Sequence, residues 1–294
     1  MSELKKTVIP TAGLGTRFLP LTKSICKNIL PLVARPLVSY AVREAKESGI
    51  EQIVFVLSEN NKEIMDYFKR SPKLEKLLAK TGKKTLLNIL KKERDFFETL
   101  KFSSSLQPQP KGDGDAVLRA KKQVGKNPFC VMFPDDVFYT KKPALAQLKK
   151  VFESSEKTVL GLQKIPAEKL SAYGVVEVEK IANRFFRIKG IIEKPKKEEA
   201  PSNLAICGRY VFPYEIFSYL EKTKPNKKGE IILAEAIKKM IQDGKMLYGY
   251  EIEGDWLECG KTVDWLKSFL FLALNDAQYG SLLKAFLKEK KIKL

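Results

Sequence analysis

A short apolar run, Thr7-Val8-Ile9-Pro10, passes directly into a glycine loop, Thr11-Ala12-Gly13-Leu14-Gly15-Thr16-Arg17. A strand ending in such a loop delivers it to the carboxyl edge of an open α/β sheet, which is where that architecture takes its ligand. Glycine admits positive φ and close approach, so the loop's backbone amides can wrap a polyphosphate. Arg17, and Lys27 ten residues later, add fixed positive charge of the kind that offsets charge developing in phosphoryl chemistry. The combination predicts a nucleotide-handling site.

A dinucleotide fold begins in the same way. Here the third glycine of that fingerprint is missing, with Leu19 and Pro20 in its neighbourhood, and no amphipathic helical pattern starts until about Pro36. The next strand-like run, Gln52 to Leu57, also comes too late to place an acid about twenty residues downstream for a ribose contact.

The pattern does not stop at the loop. It continues through Leu30-Pro31, Leu32-Val33, Pro36-Leu37 and Tyr40, then Gln107, Lys111-Gly112 and Gly114, then Pro134-Asp135-Asp136. Later blocks are Ala172-Tyr173-Gly174-Val175-Val176, Glu193-Lys194-Pro195, Pro201-Ser202-Asn203-Leu204-Ala205, Gly208-Arg209-Tyr210 and Gly229-Glu230-Ile231. In their order and spacing these blocks resemble the sugar-nucleotide pyrophosphorylases, and within them the bacterial UTP–glucose-1-phosphate uridylyltransferases. The resemblance implies a nucleotidyltransferase that makes UDP-glucose and pyrophosphate from UTP and glucose-1-phosphate. It implies Mg²⁺-assisted in-line attack with no covalent enzyme intermediate, and a homodimer or homotetramer. Two alternatives stay open: the same reaction class with dTTP or another sugar phosphate, and a diverged paralogue that binds UDP-sugars or partner proteins without turnover.

Carried over position by position, the resemblance assigns Ala12, Gly13, Gly15, Asn28 and Gly112 to the nucleotide and Gln107 to a hydrogen bond with uracil, for which a planar amide is suited. Arg17 would hold the departing pyrophosphate, and Lys27 would neutralise the reacting phosphates. Glu193 and Gly174 would meet the glucose ring, Lys194 its phosphate, and Asn203 belongs to the same sugar-phosphate set. Asp135 would hold Mg²⁺ together with Glu258, which stands where the resemblance implies an aspartate and carries one more methylene. Asn28 replaces an acid near the base, Cys26 a proline, and Asp115 a histidine beside the phosphates. Loss of the proline frees φ at that position.

Strand-like runs at Thr7 to Pro10, Gln52 to Leu57, Phe129 to Phe133, Thr158 to Leu162, Gly174 to Val178, Phe186 to Glu193, Ala205 to Val211 and Leu247 to Ile252 alternate with helix-like stretches. The order predicts an α/β fold: a doubly wound, mostly parallel, Rossmann-like sheet with helices on both faces and an added sugar-binding β subregion. No Gly/Ser-rich or Pro-rich linker divides the chain. The expectation is one nucleotidyltransferase domain over 1–278, with 1–140 mainly nucleotide-binding and 141–278 mainly sugar-phosphate-binding, then a basic helical tail over 279–294. Residues 72–97 read as one or two basic helices with Leu74, Leu77, Leu78, Leu86, Leu87 and Leu90 facing inward. Trp265 to Leu274 is apolar on nearly every side, which predicts a buried helix or part of a subunit interface.

The sequence contains no histidine, which removes the usual general base and leaves chemistry to carboxylates, lysines and metal ions. Its four cysteines, Cys26, Cys130, Cys207 and Cys259, form no CxxC pair. The excess of 54 Lys plus Arg over 35 Asp plus Glu gives a net charge of +19 and raises a nucleic-acid reading. That excess is spread out, apart from a loop at Lys222, Lys224, Lys227 and Lys228 and a tail at Lys284, Lys288, Lys290, Lys291 and Lys293, and neither interleaves aromatics. No nucleic-acid partner is expected, and the field serves anionic substrates. Without an apolar run approaching ~20 residues or an apolar signal region, no membrane partner is expected and the location expected is cytoplasmic.

Overall fold

The structure is a computed structural model and describes residues 3–59 and 61–292. In chain order its strands are β1 (Lys6–Pro10), β2 (Pro31–Leu32), β3 (Arg35–Pro36), β4 (Gln52–Leu57), β5 (Lys101–Leu106), β6 (Phe129–Met132), β7 (Asp136–Tyr139), β8 (Thr158–Lys164), β9 (Gly174–Ala182), β10 (Phe185–Glu193), β11 (Leu204–Phe212), β12 (Leu247–Glu251) and β13 (Asp255–Glu258). Its helices are α1 (Leu37–Glu47), α2 (Lys62–Phe68), α3 (Pro72–Lys80), α4 (Lys84–Phe97), α5 (Asp113–Arg119), α6 (Lys121–Val124), α7 (Ala144–Ser155), α8 (Ile216–Lys222), α9 (Leu233–Gln242), α10 (Thr262–Asn275) and α11 (Gly280–Glu289).

A nine-stranded sheet in the order β5-β4-β1-β6-β11-β8-β12-β10-β9 runs through both halves of the chain. Its first four strands are parallel, with Val8 level with Val54 and Val131. β11 enters antiparallel between β6 and β8, β12 runs parallel to β8, and β10 and β9 pair as an antiparallel hairpin. The parallel quartet is the Rossmann-like part, and the strand-rich second half brings the antiparallel pairings. A separate ribbon joins β7 to β13.

Strands covered on both faces need continuous apolar runs. In β4, Val54 and Val56 enter one core with α5, α8 and α9, while Ile53, Phe55 and Leu57 enter the other with α1, α2 and α7. Val8 and Ile9 divide β1 in the same way. In α1 the buried Val38, Ala41, Val42 and Ala45 recur at helical spacing and seat the helix on the second core.

The stretch 72–97 forms two helices, as the sequence allowed, but not all of its leucines face inward. It breaks at Thr81-Gly82-Lys83 into α3 and α4, which form a hairpin at the sheet's rim and pack chiefly on each other. Leu78 is buried, but Leu74, Leu77 and Leu86 are exposed rather than inward, because the hairpin meets the core mainly through Phe97. Helix α10 is covered on one face only. Trp265, Phe269 and Leu272 pack over Leu32, Val137 and Cys259, leaving Val263, Leu266 and Leu270 open. The tail forms α11, with Lys293 outside the described residues. Among those residues no helix is long and apolar enough to cross a membrane, and all four cysteines are free and buried.

Candidate active site

The loop after β1 is fixed from beneath. Thr11 donates its backbone N–H and its hydroxyl to Val56 O at 2.9 and 2.8 Å, and its own carbonyl accepts from the side-chain amides of Asn61 and Asn28 at 2.8 and 3.2 Å. Asn28 thus straps the loop while lining the cavity above it. Gly15 adopts φ +65°, and a Cβ there would stand 3.0 Å from Lys27 Cβ and 3.1 Å from Thr22 Cγ2. The missing side chain is what lets the Lys27 stem lie against the loop. From that position Lys27 Nζ donates to Asp135 Oδ2 at 2.7 Å.

Asp135 follows β6, and the turn carrying it is held on both sides. Arg209 is fully buried and pairs with Glu44 through Nε and Nη2 at 2.9 and 2.8 Å. It also donates to Phe133 O at 3.0 Å and Asp136 O at 2.5 Å, spanning Asp135. Cys259 N–H donates to Asp135 O at 2.7 Å. This brings in Gly260, whose Cβ position lies 3.4 Å from Asp135 Oδ2 and 3.8 Å from Arg17 Nη1. Burial alone would raise the Asp135 carboxyl, but Lys27 and Arg17 outweigh it and hold the carboxyl below its ordinary value. Burial and the neighbouring Asp135 push Asp136 the other way, up to about 7, and its Oδ1 accepts the Trp256 indole N–H at 2.8 Å.

Two cavities meet here. One of about 360 Å³ is lined by Ala12, Gly13, Gly15, Arg17, Lys27, Asn28, Gln107 and Gly112. The other, about 580 Å³, is lined by Gly174, Glu193, Lys194 and Glu258. Arg17, Asp113, Phe133, Asp135 and Gly260 line both. In the second cavity, Lys194 sits at φ +49°, an uncommon conformation for a side-chain-bearing residue, with its N–H on Tyr173 O at 2.9 Å. Its Nζ meets Glu193 Oε1 at 2.6 Å. A Cβ on Gly174 would stand 3.2 Å from Glu193 Oε2, so glycine gives that carboxylate room. Asn203 is exposed and outside both linings, and its backbone carbonyl accepts from Ile165 N–H at 3.0 Å.

Two further residues have clear roles in the structure. Asp113 Oδ1 accepts the N–H groups of Gly114 and Leu233 at 2.8 and 2.9 Å, tying the starts of α5 and α9 together at the junction of the cavities. Burial raises its carboxyl above the ordinary value, against the two N–H groups. The block Gly229-Glu230-Ile231 docks on the loop below the first cavity. Ile231 O accepts Gly114 N–H at 2.9 Å, and a Cβ on Gly112 would stand 2.4 Å from that same oxygen. The sequence signal for Asp113 is its place between Gly112 and Gly114, and for Arg209 its place in Gly208-Arg209-Tyr210.

Among the described residues, no group of three or more His, Cys, Asp or Glu forms a ready-made metal site. Mg²⁺ is usually held by one or two carboxylates completed by water and substrate phosphates. An ionised Asp135 at the junction, with Glu258 lining the second cavity, fits that manner of binding.

The sequence profile of the family described as "Nucleotidyl transferase" matches residues 6–274. The UTP–glucose-1-phosphate uridylyltransferase of Bacillus subtilis (strain 168) is 38% identical over 288 residues, covering 98% of this chain and 97% of that protein. The UTP-bound UGPase of Acinetobacter baumannii superposes with a TM-score of 0.90 at 37% identity, covering 99% of this chain and all of the other. A UDP-glucose pyrophosphorylase complexed with UDP-glucose superposes with a TM-score of 0.85 at 33% identity, over 93% of this chain and 100% of that one.

Proposed function

The chain belongs to the nucleotidyl transferase family, and from that membership we infer a UTP–glucose-1-phosphate uridylyltransferase that forms UDP-glucose and releases pyrophosphate. The observation that carries the reading at the level of residues is the meeting of two cavities at Arg17 and Asp135. A reaction that joins two polyanions needs two adjacent sites with fixed cations at their boundary.

The phosphate of glucose-1-phosphate is itself the nucleophile, so the protein must align and neutralise rather than remove a proton from an alcohol. The backbone of Ala12, Gly13 and Gly15 receives the triphosphate, and Gln107 and Gly112 receive the base, with Asn28 bracing the loop between them. Arg17 faces the leaving pyrophosphate. Lys27 turns from Asp135 to the phosphate under attack. Lys194 holds the phosphate of the sugar, Glu193 accepts from glucose hydroxyls, and Gly174 admits the ring. Asn203, at the rim, orders the strand entry beside them. Asp135 and Glu258 would hold Mg²⁺, which when bound supplies positive charge against the phosphates of both substrates.

In this reading residues 1–140 serve mainly the nucleotide and 141–278 mainly the sugar phosphate, within one catalytic domain followed by the tail. Exposed Val263, Leu266 and Leu270 on α10 offer a face for a homodimer or homotetramer. Free buried cysteines suit the reducing cytoplasm, and the dispersed positive charge suits anionic small molecules better than nucleic acid. The test is pyrophosphate release with Mg²⁺, glucose-1-phosphate and each of UTP, dTTP, CTP, ATP and GTP in turn. Selective turnover of UTP is expected. Turnover of another nucleotide alone moves the substrate within the class, and silence from folded protein points to a binding paralogue.

A further inference from the structure

Behind the base end of the first cavity, Gln107 is 4% exposed and its amide nitrogen is committed away from the cavity. Nε2 donates to Gly112 O at 3.0 Å and to Asp115 Oδ2 at 2.8 Å, which uses both of its hydrogens. Oε1 accepts from no donor among the described residues and is not sealed from solvent, and Gln107 lines the cavity. Asp115 itself does not line it. Its side chain is 6% exposed, and its other partner is Arg119, with Nη2 at 3.3 Å from Oδ1 and Nε at 3.4 Å from Oδ2.

The amide cannot turn over in this setting. Gly112 O and the Asp115 carboxylate offer only acceptors, so a flipped Gln107 would set its carbonyl against two oxygens and lose both hydrogen bonds. We propose that Asp115 locks Gln107 with Oε1 facing the cavity, and that this lock makes the site select a pyrimidine carrying a ring N–H over one carrying a ring acceptor. Uracil presents N3–H to such an oxygen. Cytosine presents a lone pair at N3, which meets Oε1 acceptor to acceptor. Asp115 is thus a positioning residue that acts on the base through Gln107. The inference rests on the nucleotide-cavity reading above and adds the origin of base choice.

Asp115→Leu keeps the branched shape and removes the acceptor. With the carboxylate gone, only Gly112 O holds the Gln107 amide, and turning it to present donors to the cavity no longer costs the charged hydrogen bond. The preference for UTP over CTP, read both as binding by isothermal titration and as kcat/KM for pyrophosphate release, should narrow by about tenfold or more, with the change on KM more than on kcat. Arg119→Met alone, at a half-exposed position outside the cavity, should leave base choice as it is, because aspartate has no donor to offer in either case. An unchanged UTP-to-CTP ratio in folded Asp115→Leu overturns the lock while leaving the uridylyltransferase standing. So does loss of the preference in Arg119→Met, which keeps the test open if the leucine variant does not fold. Failure of the wild type to bind or turn over UTP overturns the underlying reading instead.

Discussion

Lys27 donates to Asp135 across 2.7 Å, so the lysine following the glycine loop and the carboxylate following β6 neutralise one another in the free protein. Their side chains are only 14% and 29% exposed, and burial makes each costly to leave alone. On the reading proposed above, UTP binding would let Lys27 exchange the carboxylate for a phosphate and release Asp135 for a metal. Lys27→Met is expected to lower kcat by about two to three orders of magnitude, and Asp135→Ala to abolish pyrophosphate release. Both are assayed on protein whose circular dichroism matches wild type. A rate above about one tenth of wild type in either variant would remove that residue from the reacting centre.

Glu44 and Arg209 form a two-point ion pair with side-chain exposures of 11% and 1%, and Arg209 also grips both sides of the Asp135 turn. Glu44→Ala would leave a guanidinium buried without its counter-charge. The expected loss is about 3–5 kcal/mol in urea unfolding, together with reduced activity because the turn loses its clamp. A loss under about 1 kcal/mol would mean that the backbone carbonyls alone satisfy Arg209.

Gly13 and Gly15 should separate ligand approach from folding. A Cβ at Gly13 meets no atom within 4 Å, whereas at Gly15 it meets Lys27 and Thr22 at a backbone φ of +65°. Gly13→Ala is expected to change stability by no more than about 0.5 kcal/mol yet raise KM for UTP several-fold. Gly15→Ala is expected to cost on the order of 1–3 kcal/mol. Equal thermal shifts in the two variants would contradict the assignment.

What the sequence made legible follows the strength of each local signal. β1, β4 and β6 were readable because strands buried on both faces are continuous apolar runs, and the cavity forms at the carboxyl ends of β1 and β6, where the loop and Asp135 were expected. β5 was not, since Lys-Phe-Ser-Ser-Ser-Leu lacks both alternation and β-branched residues and is held at the sheet's edge by pairing with β4. The leucines of α3 and α4 have the spacing of a buried face, but periodicity does not say whether the rest of the fold covers that face. Asp115 stood out in the sequence as a departure and Asp113 lies between two glycines, but the roles of both were hidden for another reason. Their partners Leu233, Gln107 and Arg119 are brought together by the fold, and only Arg119 has a helical spacing that points back to Asp115.

Asp136 gives a pH signature in metal-free protein. Burial and Asp135 lift its carboxyl from 3.8 to about 7, so the folded state binds this proton more tightly than the unfolded chain does. The resulting stabilisation is complete below pH 3.8 and is lost as pH rises through about 7. Asp135, held low, has the opposite sign: its contribution is present above its ordinary value and is lost as pH falls through the folded one. The difference between wild type and Asp136→Asn isolates the first effect. Chelator-treated wild type should lose stability relative to the variant between about pH 4 and pH 7, and a parallel pair of curves across that window would refute the shift.

Glu258 stands opposite Asp136 in the β7–β13 ribbon, and burial together with the Glu258 carboxylate raises the Tyr173 hydroxyl well above its ordinary value. Glu258→Gln keeps the length but removes the charge a metal needs. The Mg²⁺ concentration giving half-maximal pyrophosphate release should rise by about tenfold, with Asp135 and the substrate phosphates left to hold the ion. Glu258→Asp should show the same rise, because the shortened carboxylate falls short of the ion the longer side chain serves. If neither variant moves the Mg²⁺ midpoint, Asp135 holds the metal without Glu258.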